Sequence, residues 1–478
     1  MPPSSRRWRP AALLLAVAAL AALAACSPGF AFQGPNSIFT RHTETNRDVE
    51  GLFGILFGFG TVVFVLVEAL LLYVVIKFRR KPGQAEPRHV HGNTTLEVLW
   101  TAIPAVILIF IAVPTVRTIF RTQAKARPGA LQVEVIGHQW WWEFRYPEYN
   151  ITTANELYLP VGRTVNFALK TADVLHSFWI PALSGKRDLI ANHTNFLWFT
   201  PDSAPSAAAW DGHCAEYCGA SHANMKFRVY TVTPAQFASW TKGQQQAAAF
   251  GAVPNAGTTS GPLTRGAPAA AAATAKQAGA GVRTSGPRTG EQGLADEAAA
   301  RNNPAPTQPA SGAGAAGAPT AAPTPGTQAQ QAQFADVAGG YTFPAASLPQ
   351  HVRPSTPIPG TLQRRVNTQL VGDPARGQQA FMSCIGCHYI NGNPMAVGKV
   401  GPNLTHIGSR NTIAAGLYPN DNLHLRAWLK NAREMKPGVT MPTLGVGEQD
   451  PVTKQKVTVG GLTDQQIADL AAYLQALK

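Results

Sequence analysis

The chain has 478 residues, of which 45% are hydrophobic and only 14% charged, and its formal net charge is +14. This length excludes a single small module and predicts two or three folded units, while five cysteines are too few for a disulfide scaffold in so long a chain. The low charged fraction is typical of membrane spans or a low-complexity segment, and the excess positive charge by itself fits nucleic acid, an anionic membrane or an acidic protein partner.

The N-terminus, residues 1–25, has the pattern of a secretory signal. Three arginines precede an apolar run that ends in Leu23-Ala24-Ala25-Cys26. A basic start, an apolar stretch and small residues at a cleavage site are the features of such a signal. The last four residues resemble a bacterial lipobox, which implies that Cys26 becomes the lipidated N-terminus of the mature chain. The alternative is an uncleaved short anchor in which this cysteine has no role.

Two further apolar segments, at about residues 52–76 and 96–120, are each long enough to cross a bilayer, which requires about 20 residues. The loop between them is strongly basic, which favours a cytoplasmic location, although further basic residues follow the second span. A cleaved signal leaves residue 26 outside, so two crossings return the chain to the outside after about residue 122. We therefore predict a transmembrane helical hairpin within residues 26–121.

Both predicted spans contain residues that are unusual in a bilayer. Glu68 lies deep in the first span, where a charge is costly. It is either a neutral acid, hydrogen-bonded between helices, or a group that faces a partner and carries protons. Pro104 and Pro114 interrupt the second span, which neighbouring helices can tolerate. A larger membrane partner would explain these features.

Residues 122–242 are predicted to form a small β-sandwich or barrel. Short runs of alternating apolar and polar residues are separated by Pro, Gly and Asp turns over roughly 100 residues, a pattern typical of these folds. The runs are at residues 131–136, 157–159, 164–169, 195–200 and 227–232.

Residues 243–370 are rich in Ala, Gly, Pro, Thr and Gln, and there is no aromatic residue, Met or Cys between residues 251 and 333. Such a segment cannot bury enough apolar surface to offset the entropy of ordering it, so the composition predicts a disordered tether. Helix-compatible patterns return in residues 371–478, before Cys384, at residues 423–433 and at residues 463–477, where Thr463-Asp464-Gln465-Gln466 has the pattern of a capping box. The sequence therefore ends in a small, mostly α-helical domain.

Within the predicted β domain, two thiols, an imidazole and a thioether occur within twelve residues, at Cys214, Cys218, His222 and Met225. A second imidazole, that of His176, is available at a predicted strand end. Soft thiolate ligands with imidazole and a weak thioether suit copper in an electron-transfer role. The alternatives are a disulfide, which leaves the histidine and methionine without a role, and structural zinc, which is bound by Cys, His and acidic side chains rather than by a thioether.

The pattern C-x-E-x-C-x-x-x-H-x-x-M, with Asp173-Val-Leu-His176-Ser-Phe upstream, resembles the dinuclear CuA site of subunit II of heme-copper cytochrome c oxidases. The resemblance implies a cupredoxin-like β-barrel in which both thiolates bridge two copper ions. It further implies that the side chain of Glu216 helps to hold magnesium at the boundary with subunit I. The implied copper ligands are His176, Cys214, the carbonyl of Glu216, Cys218, His222 and Met225.

This resemblance extends from about residue 51 to residue 240 and assigns two more residues. Trp140, in Gly137-His-Gln-Trp-Trp-Trp142, matches the position at which electrons reach the copper site, whereas the two tryptophans that follow it fit a barrel core. Glu97, at the start of the second span, matches a carboxylate at the mouth of a proton pathway, although a glutamate at a helix end is otherwise simply solvated. His213 stands where the family often has Gln, and we do not count it as a ligand.

The last domain contains Cys384-Ile385-Gly386-Cys387-His388, the C-x-x-C-H attachment sequence of a c-type heme. A redox dithiol or half of a zinc site would be the alternatives, but the flanking residues 372–377, 401–404 and 436–442 resemble a class I cytochrome c. That resemblance implies that the Pro402 carbonyl accepts a hydrogen bond from His388 and that Met441 is the sixth ligand, with Met435 as a rival. Ligation by His and Met leaves no open site, so this domain should carry electrons.

Together these motifs predict a multidomain membrane protein with a two-helix transmembrane hairpin, a cupredoxin-like β-barrel, a disordered linker and a small all-α cytochrome c domain. The resemblance implies the electron-input subunit of a caa-type oxidase in a bacterial plasma membrane, with both redox domains outside. Electrons would pass from an external cytochrome c or bc complex through heme c and copper to subunit I, where O2 is reduced with proton pumping. Other oxidase subunits are further expected partners, and docking of the tethered domain is expected to be transient.

Three alternatives to this function remain. A nitric oxide reductase can use a similar copper-bearing subunit. A non-catalytic copper-binding lipoprotein would have no use for Trp140, Glu97 or a heme domain. A quinol oxidase subunit is disfavoured because those proteins lack the copper ligands. No nucleic-acid motif accompanies the basic charge, so we expect no nucleic-acid partner.

Overall fold

The structure is a computed structural model that describes residues 34, 36–84, 86, 92–123, 128–203, 207–248 and 340–478. The predicted signal, Cys26 and residues 249–339 of the predicted tether lie outside the described residues.

Two long helices, α1 (Glu44–Lys77) and α2 (Thr94–Gln123), contain the two predicted spans. Both are long and apolar enough to cross a membrane. At 1.5 Å per residue α1 is about 51 Å long, so it extends beyond a hydrocarbon core of roughly 30 Å. The hydroxyl of its N-cap, Thr43, accepts from the amide of Asn46 and donates to the carbonyl of Leu183 at 2.6 Å. The first helix is thereby joined directly to the β domain.

The β domain consists of ten strands in two five-stranded sheets, with orders β3-β2-β1-β5-β8 and β4-β10-β9-β6-β7. The pairs β1 with β5 and β4 with β10 are parallel, and the other pairs are antiparallel. All five predicted runs fall on strands, and the sequence missed the other five. The strands are β1 (Leu131–His138), β2 (Trp141–Tyr146), β3 (Ile151–Ala154), β4 (Glu156–Pro160), β5 (Val165–Thr171), β6 (His176–Trp179), β7 (Arg187–Leu189), β8 (Asn195–Phe199), β9 (Ala208–Cys214) and β10 (Lys226–Val232).

An aromatic core lies between the two sheets. The rings of Phe178 and Phe227 are stacked with their centroids 5.0 Å apart, and Trp142 meets Phe227 edge-on at 5.3 Å. All three side chains are fully buried, and full burial of a large apolar side chain stabilises a fold by about 1.5–3 kcal/mol. Helix α3 (Pro234–Gln244) closes one side of the domain. This core supports the strand ends from which the copper-ligand candidates project.

The last domain is mainly helical, as predicted, and its helices pack on one another around a second apolar core. The last helix begins at Asp464 with the predicted capping box, in which Thr463 and Gln466 each bond the other's backbone amide. The ring of Phe381 packs against Tyr473 at a centroid distance of 5.6 Å. The elements are α4 (Gly360–Arg365), α5 (Pro374–Ala380), β11 (Thr412–Ile413), β12 (Tyr418–Pro419), α6 (Asn422–Met435) and α7 (Asp464–Ala476).

The predicted end of the tether, at residue 370, is corrected, because residues 340–370 are folded. The apolar anchors of this segment include Phe343 and Val352, which join the core of the β domain, and Leu362, which joins the core of the helical domain. The amide of Tyr341 donates to the hydroxyl of Ser239 at 3.1 Å. The sequence did not predict this folding, because the apolar residues are widely spaced in a Pro-rich segment. Each of them packs into the apolar core of one of the two domains.

Buried polar contacts hold the helical domain on the β domain, and the two belong to one compact unit. Oε1 of Glu156 on β4 accepts from the amides of Asn411 and Thr412 at 2.8 and 2.9 Å. Nη2 of Arg228 on β10 donates to the carbonyl of Gly416 at 2.9 Å. Because buried polar groups cost free energy unless they are paired, these contacts define one preferred docking geometry.

Candidate redox sites

The sheet topology brings the copper-ligand candidates together from distant parts of the chain. Cys214 ends β9, and His176 begins β6, the neighbouring strand, where Phe178 is the register partner of Cys214. Cys218, His222 and Met225 follow on the loop between β9 and β10. The amide of Cys214 donates to the carbonyl of Met225 at 2.9 Å, which closes this loop on itself.

The donor atoms converge on the two thiols, whose sulfur atoms are 3.8 Å apart. That distance excludes a disulfide, in which the sulfurs are about 2.05 Å apart. Nδ1 of His176 lies 3.8 Å from the Cys214 sulfur, and Nδ1 of His222 lies 3.6 Å from the Cys218 sulfur. The Met225 sulfur is 3.8 Å from Cys218, and the Glu216 carbonyl oxygen is 3.2 Å from Cys214.

This donor set fits copper. The ligand atoms of His176, Cys214 and Cys218 all lie within 4.8 Å of one another, and all three residues are buried. The hydrogen bond between the two thiols lowers the pKa of Cys214 to about 3 and raises the pKa of Cys218. A thiolate in a set of soft sulfur and imidazole donors is the environment that copper prefers.

Asp173 orients the first histidine, a role that the sequence did not identify. Its Oδ1 accepts from Nε2 of His176 at 2.8 Å, which leaves Nδ1 of the imidazole towards Cys214. Its Oδ2 accepts from the amide of Gln139 at 2.7 Å. A carboxylate that fixes the tautomer and direction of a ligating histidine is a common supporting contact at metal sites. The signal was present in the sequence as an acid three residues before the histidine.

We name residues 215–225, between β9 and β10, the copper-ligand loop. Trp140 lies between this loop and the helical domain. Its Nε1 donates to the carbonyl of Cys218 at 2.9 Å. Trp142 lies in the barrel core as expected, but Trp141 does not: its ring stacks on His138 with centroids 4.1 Å apart. Successive strand residues point to opposite faces of a sheet, so the two neighbours could not both enter the core.

A cavity of about 250 Å³ lies in the helical domain and is bordered on one side by Trp140 and Trp141. Cys384, Cys387, His388 and Met441 line it, together with mostly apolar side chains, among them Phe381, Leu425, Leu429, Leu470 and Leu474. An apolar cavity with two thiols, an imidazole and a thioether fits a covalently attached heme.

His388 contacts the Pro402 carbonyl. Nδ1 of His388 lies 2.9 Å from the carbonyl oxygen of Pro402, and burial lowers the pKa of the imidazole. Gly401 approaches the ring so closely that a Cβ there would lie 2.5 Å from the imidazole Cε1. The rival methionine, Met435, is buried in the apolar core, whereas Met441 lines the cavity. The structure thus brings His388 and Met441 to one cavity.

Glu97 and Glu68 are not brought to either redox site. Glu97 lies in the first turn of α2 and Glu68 within α1, and both are exposed in the described structure. Glu97 precedes the end of α2 by 26 residues, which corresponds to about 39 Å of helix. Both residues lie on helical surfaces where a membrane partner could reach them.

Three family models match successive parts of this chain. The chain matches family models described as "Cytochrome C oxidase subunit II, transmembrane domain" at residues 41–118, "Cytochrome C oxidase subunit II, periplasmic domain" at residues 150–232 and "Cytochrome c" at residues 374–478. The three models cover the helical hairpin, most of the β domain and the last domain. Two spanning helices followed by a periplasmic domain make this a membrane protein whose β domain lies on the outer side.

Three curated proteins are each similar to a part of this chain. Cytochrome c oxidase subunit 2 of Alkalihalophilus pseudofirmus is 40% identical over 38% of this chain and 54% of its own length, so the chain spans about half of that relative. A probable cytochrome c oxidase subunit 2 of Rickettsia bellii is 30% identical over 40% of this chain and 77% of its own length. Quinol oxidase subunit 2 of Bacillus subtilis is 34% identical over 41% and 62%.

Among solved structures, the periplasmic domain of subunit II of cytochrome oxidase of Bradyrhizobium japonicum is similar to this chain. It is 30% identical and matches 25% of this chain and 96% of its own length, with a TM-score of 0.23.

Proposed function

The chain belongs to the cytochrome c oxidase subunit II family, and from this premise we propose that it is the electron-input subunit of a terminal oxidase. The observation that carries the proposal is the position of Trp140. Its ring nitrogen donates to the carbonyl of Cys218, and the same residue borders the cavity lined by His388. A single side chain therefore contacts both candidate redox sites of one polypeptide.

A heme in the cavity and copper ions at the two thiols would each supply reversible one-electron chemistry. In the helical domain, Cys384 and Cys387 would hold the heme covalently, while His388 and Met441 would ligate its iron. The Pro402 carbonyl fixes the direction of the His388 ring. Two protein ligands leave no position for oxygen, so this domain passes electrons on.

In the β domain, Cys214 and Cys218 would hold copper together with the other four candidates. The site is held by strand ends, by the bond from Asp173 to His176 and by the Trp142 core behind it. A rigid surround limits the rearrangement that accompanies each electron transfer. The additional expectation of magnesium at Glu216 has no support from the described side chains and is not part of the proposal.

The remaining steps belong to partners. Electrons would arrive from an external cytochrome c or bc complex and leave to subunit I, where oxygen reduction and proton pumping would take place. Exposed apolar residues along α1 and α2 are suited to lipid and to other oxidase subunits. Glu97 would lie at the mouth of a proton pathway. The assembled thiols and imidazoles favour a copper-bearing subunit over that of a quinol oxidase.

The test uses the complex purified from membranes and supplied with a reduced cytochrome c. Cys218→Ser should abolish the mixed-valence copper EPR signal and oxygen consumption, because it removes a bridging thiolate, while the heme spectrum stays intact. Tyr217→Phe, an exposed change in the same loop, should alter neither.

Loss of heme absorbance in Cys218→Ser would contradict the two-site arrangement. Consumption of nitric oxide instead of oxygen by the unaltered complex would assign the chain to a nitric oxide reductase. Copper bound as a single ion, without oxidase activity, would favour the copper-binding lipoprotein.

A further inference from the structure

Lys436 crosses the boundary between the two domains. It belongs to the helical domain, directly after α6, and is only 2% exposed. Its Nζ donates to the carbonyl of Trp140 at 2.6 Å and to that of Ala414 at 3.3 Å. Burial lowers the pKa of the amine to about 7. A buried lysine is costly, and the shorter of its two hydrogen bonds goes to the backbone of Trp140 in the β domain.

The two residues that follow Lys436 contact the same region. The carbonyl of Pro437 accepts from the hydroxyl of Ser221 in the copper-ligand loop. Gly438 has φ +93° and lies on the Trp140 ring, so that a Cβ there would be 2.9 Å from the indole and 3.1 Å from the Ala220 side chain. Residues 436–438 therefore form a turn seated against Trp140 and the copper-ligand loop, which we name the contact turn. It continues to Met441, which lines the cavity.

Trp140 is consequently held at two points. Its ring nitrogen donates to Cys218 within the β domain, and its carbonyl accepts from Lys436 of the helical domain. Removal of the amine would leave a buried carbonyl without this donor, which is unfavourable for such a group. The hydrogen bond thus links the position of the indole to the position of the contact turn.

We propose that Lys436 is a positioning residue for electron transfer between the domains: its Nζ fixes the backbone of Trp140 against the contact turn, so that the indole touches both the heme cavity and the Cys218 carbonyl. This inference rests on the proposed function. In the step that it serves, one electron leaves the heme site, which is oxidised, and reduces the copper site by one electron. No bond is made or broken and no proton is transferred.

The first experiment uses the full-length chain carrying heme and copper. The heme is reduced rapidly, and the appearance of reduced copper is followed optically. Lys436→Met keeps the length and apolar stem of the side chain but lacks the donor, and it should slow this transfer about tenfold. Lys436→Arg, which restores a donor, should recover most of the rate. Lys456→Met, at an exposed position, is the matched control and should leave the rate unchanged.

A second experiment requires no electron transfer and no variant. The unaltered chain is treated with an amine-acetylating reagent at neutral pH, and each lysine is followed by mass spectrometry. Lys456 should react rapidly and Lys436 should be protected, because its amine is buried against Trp140.

The outcomes separate the inference from the function that it rests on. Transfer at the unaltered rate in Lys436→Met overturns the inference and leaves the proposed function standing. A slower rate accompanied by changed heme or copper spectra makes Lys436 a structural residue and also overturns it. Acetylation of Lys436 as fast as Lys456 shows that the contact is not populated and overturns it. Failure of the unaltered chain to pass electrons from heme to copper overturns the proposed function itself.

Discussion

The two candidate redox sites are built in opposite ways. In the β domain, the ligand atoms lie against one another at the end of a core that is complete without a metal: the two sulfurs are 3.8 Å apart, and Asp173 already orients His176. In the helical domain, the ligands line the walls of a cavity of about 250 Å³. The first site is preset by the protein fold, whereas the second needs its prosthetic group as part of the core. Loss of copper should therefore be a local event, and loss of heme a global one.

The largest test of this difference removes a heme attachment. Cys387→Ser should prevent stable attachment and destabilise the helical domain by about 6 kcal/mol, the cost of a cavity of this size at about 24 cal/mol per Å³. Such a loss is comparable to the whole stability of a small domain. Heme absorbance and thermal unfolding would measure it, with Ser383→Ala beside the motif as control. A helical domain that stays folded without heme would remove the contrast.

The axial ligand provides the next test. Met441→Leu conserves volume, so the domain should remain folded with a stability change below about 1.5 kcal/mol. The iron should nevertheless become high-spin or fall in reduction potential, because a thioether ligand is lost. Optical spectra and a redox titration would show this. Met435→Leu, in the apolar core, is the control, and a changed potential in that variant alone would reverse the ligand assignment.

A smaller effect, on copper affinity, should show whether Asp173 presets the orientation of His176 in the β domain. Asp173→Asn weakens the bond that orients His176, and changes of this kind typically cost 10–100-fold in metal affinity. Copper titration of the full chain would measure it, and thermal unfolding of the β domain should shift little. Asp202→Asn, in a partly exposed ion pair with Arg47, is the matched control. Unchanged copper affinity would mean that strand β6 alone fixes the orientation of the His176 imidazole.

The smallest effect concerns the contact between the domains and depends on pH. Burial raises the pKa of Glu156 from its ordinary value of 4.5 to about 7, against the influence of Arg410. The folded chain therefore binds this proton more tightly than the unfolded chain. The stability that the protonated Glu156 contributes is fully present below pH 4.5 and is lost as pH rises through 7, at no more than about 1.4 kcal/mol per pH unit.

Hydrogen exchange of the amides near Gly416 would follow this change in stability. The exchange of each variant is measured at several pH values, and the variants are compared with one another at the same pH. Glu156→Gln should remove the pH dependence, and Glu148→Gln, in a partly exposed ion pair with Arg163, should keep it. A slope of the opposite sign would show that the three hydrogen bonds to Glu156 outweigh its burial.

The sequence predicted those parts of the molecule in which chemistry is written locally. Cys214 to Met225 and Cys384 to His388 each hold several candidate ligands within one short segment, and the strongest strand runs carry their own alternation. Strands such as β6 and β9 escaped detection because their place depends on neighbours distant in the sequence, with Phe178 opposite Cys214. The sites were predictable as ligand lists, and their supporting contacts were not.

The contacts between the domains could not be predicted from local sequence patterns. Glu156, Arg228 and Lys436 read as ordinary surface charges in the sequence, yet all three are buried in the docked arrangement. Folding of residues 340–370 was missed for the same reason, since an isolated Phe343 or Val352 in a Pro-rich segment predicts nothing until a receiving surface is known. The expectation of transient docking was likewise formed without these contacts.

The hydrogen bond between Tyr341 and Ser239 holds the start of residues 340–370 on α3. The chain is described up to Ala248, whose amide donates to the carbonyl of Asn391, and again from Gly340, which lies against Gly243. The two ends of the intervening stretch are thus both fastened near the end of α3, and its residue count does not set how far apart the redox domains are. A change in the number of residues between 248 and 340 should therefore leave the distance that an electron travels unaltered.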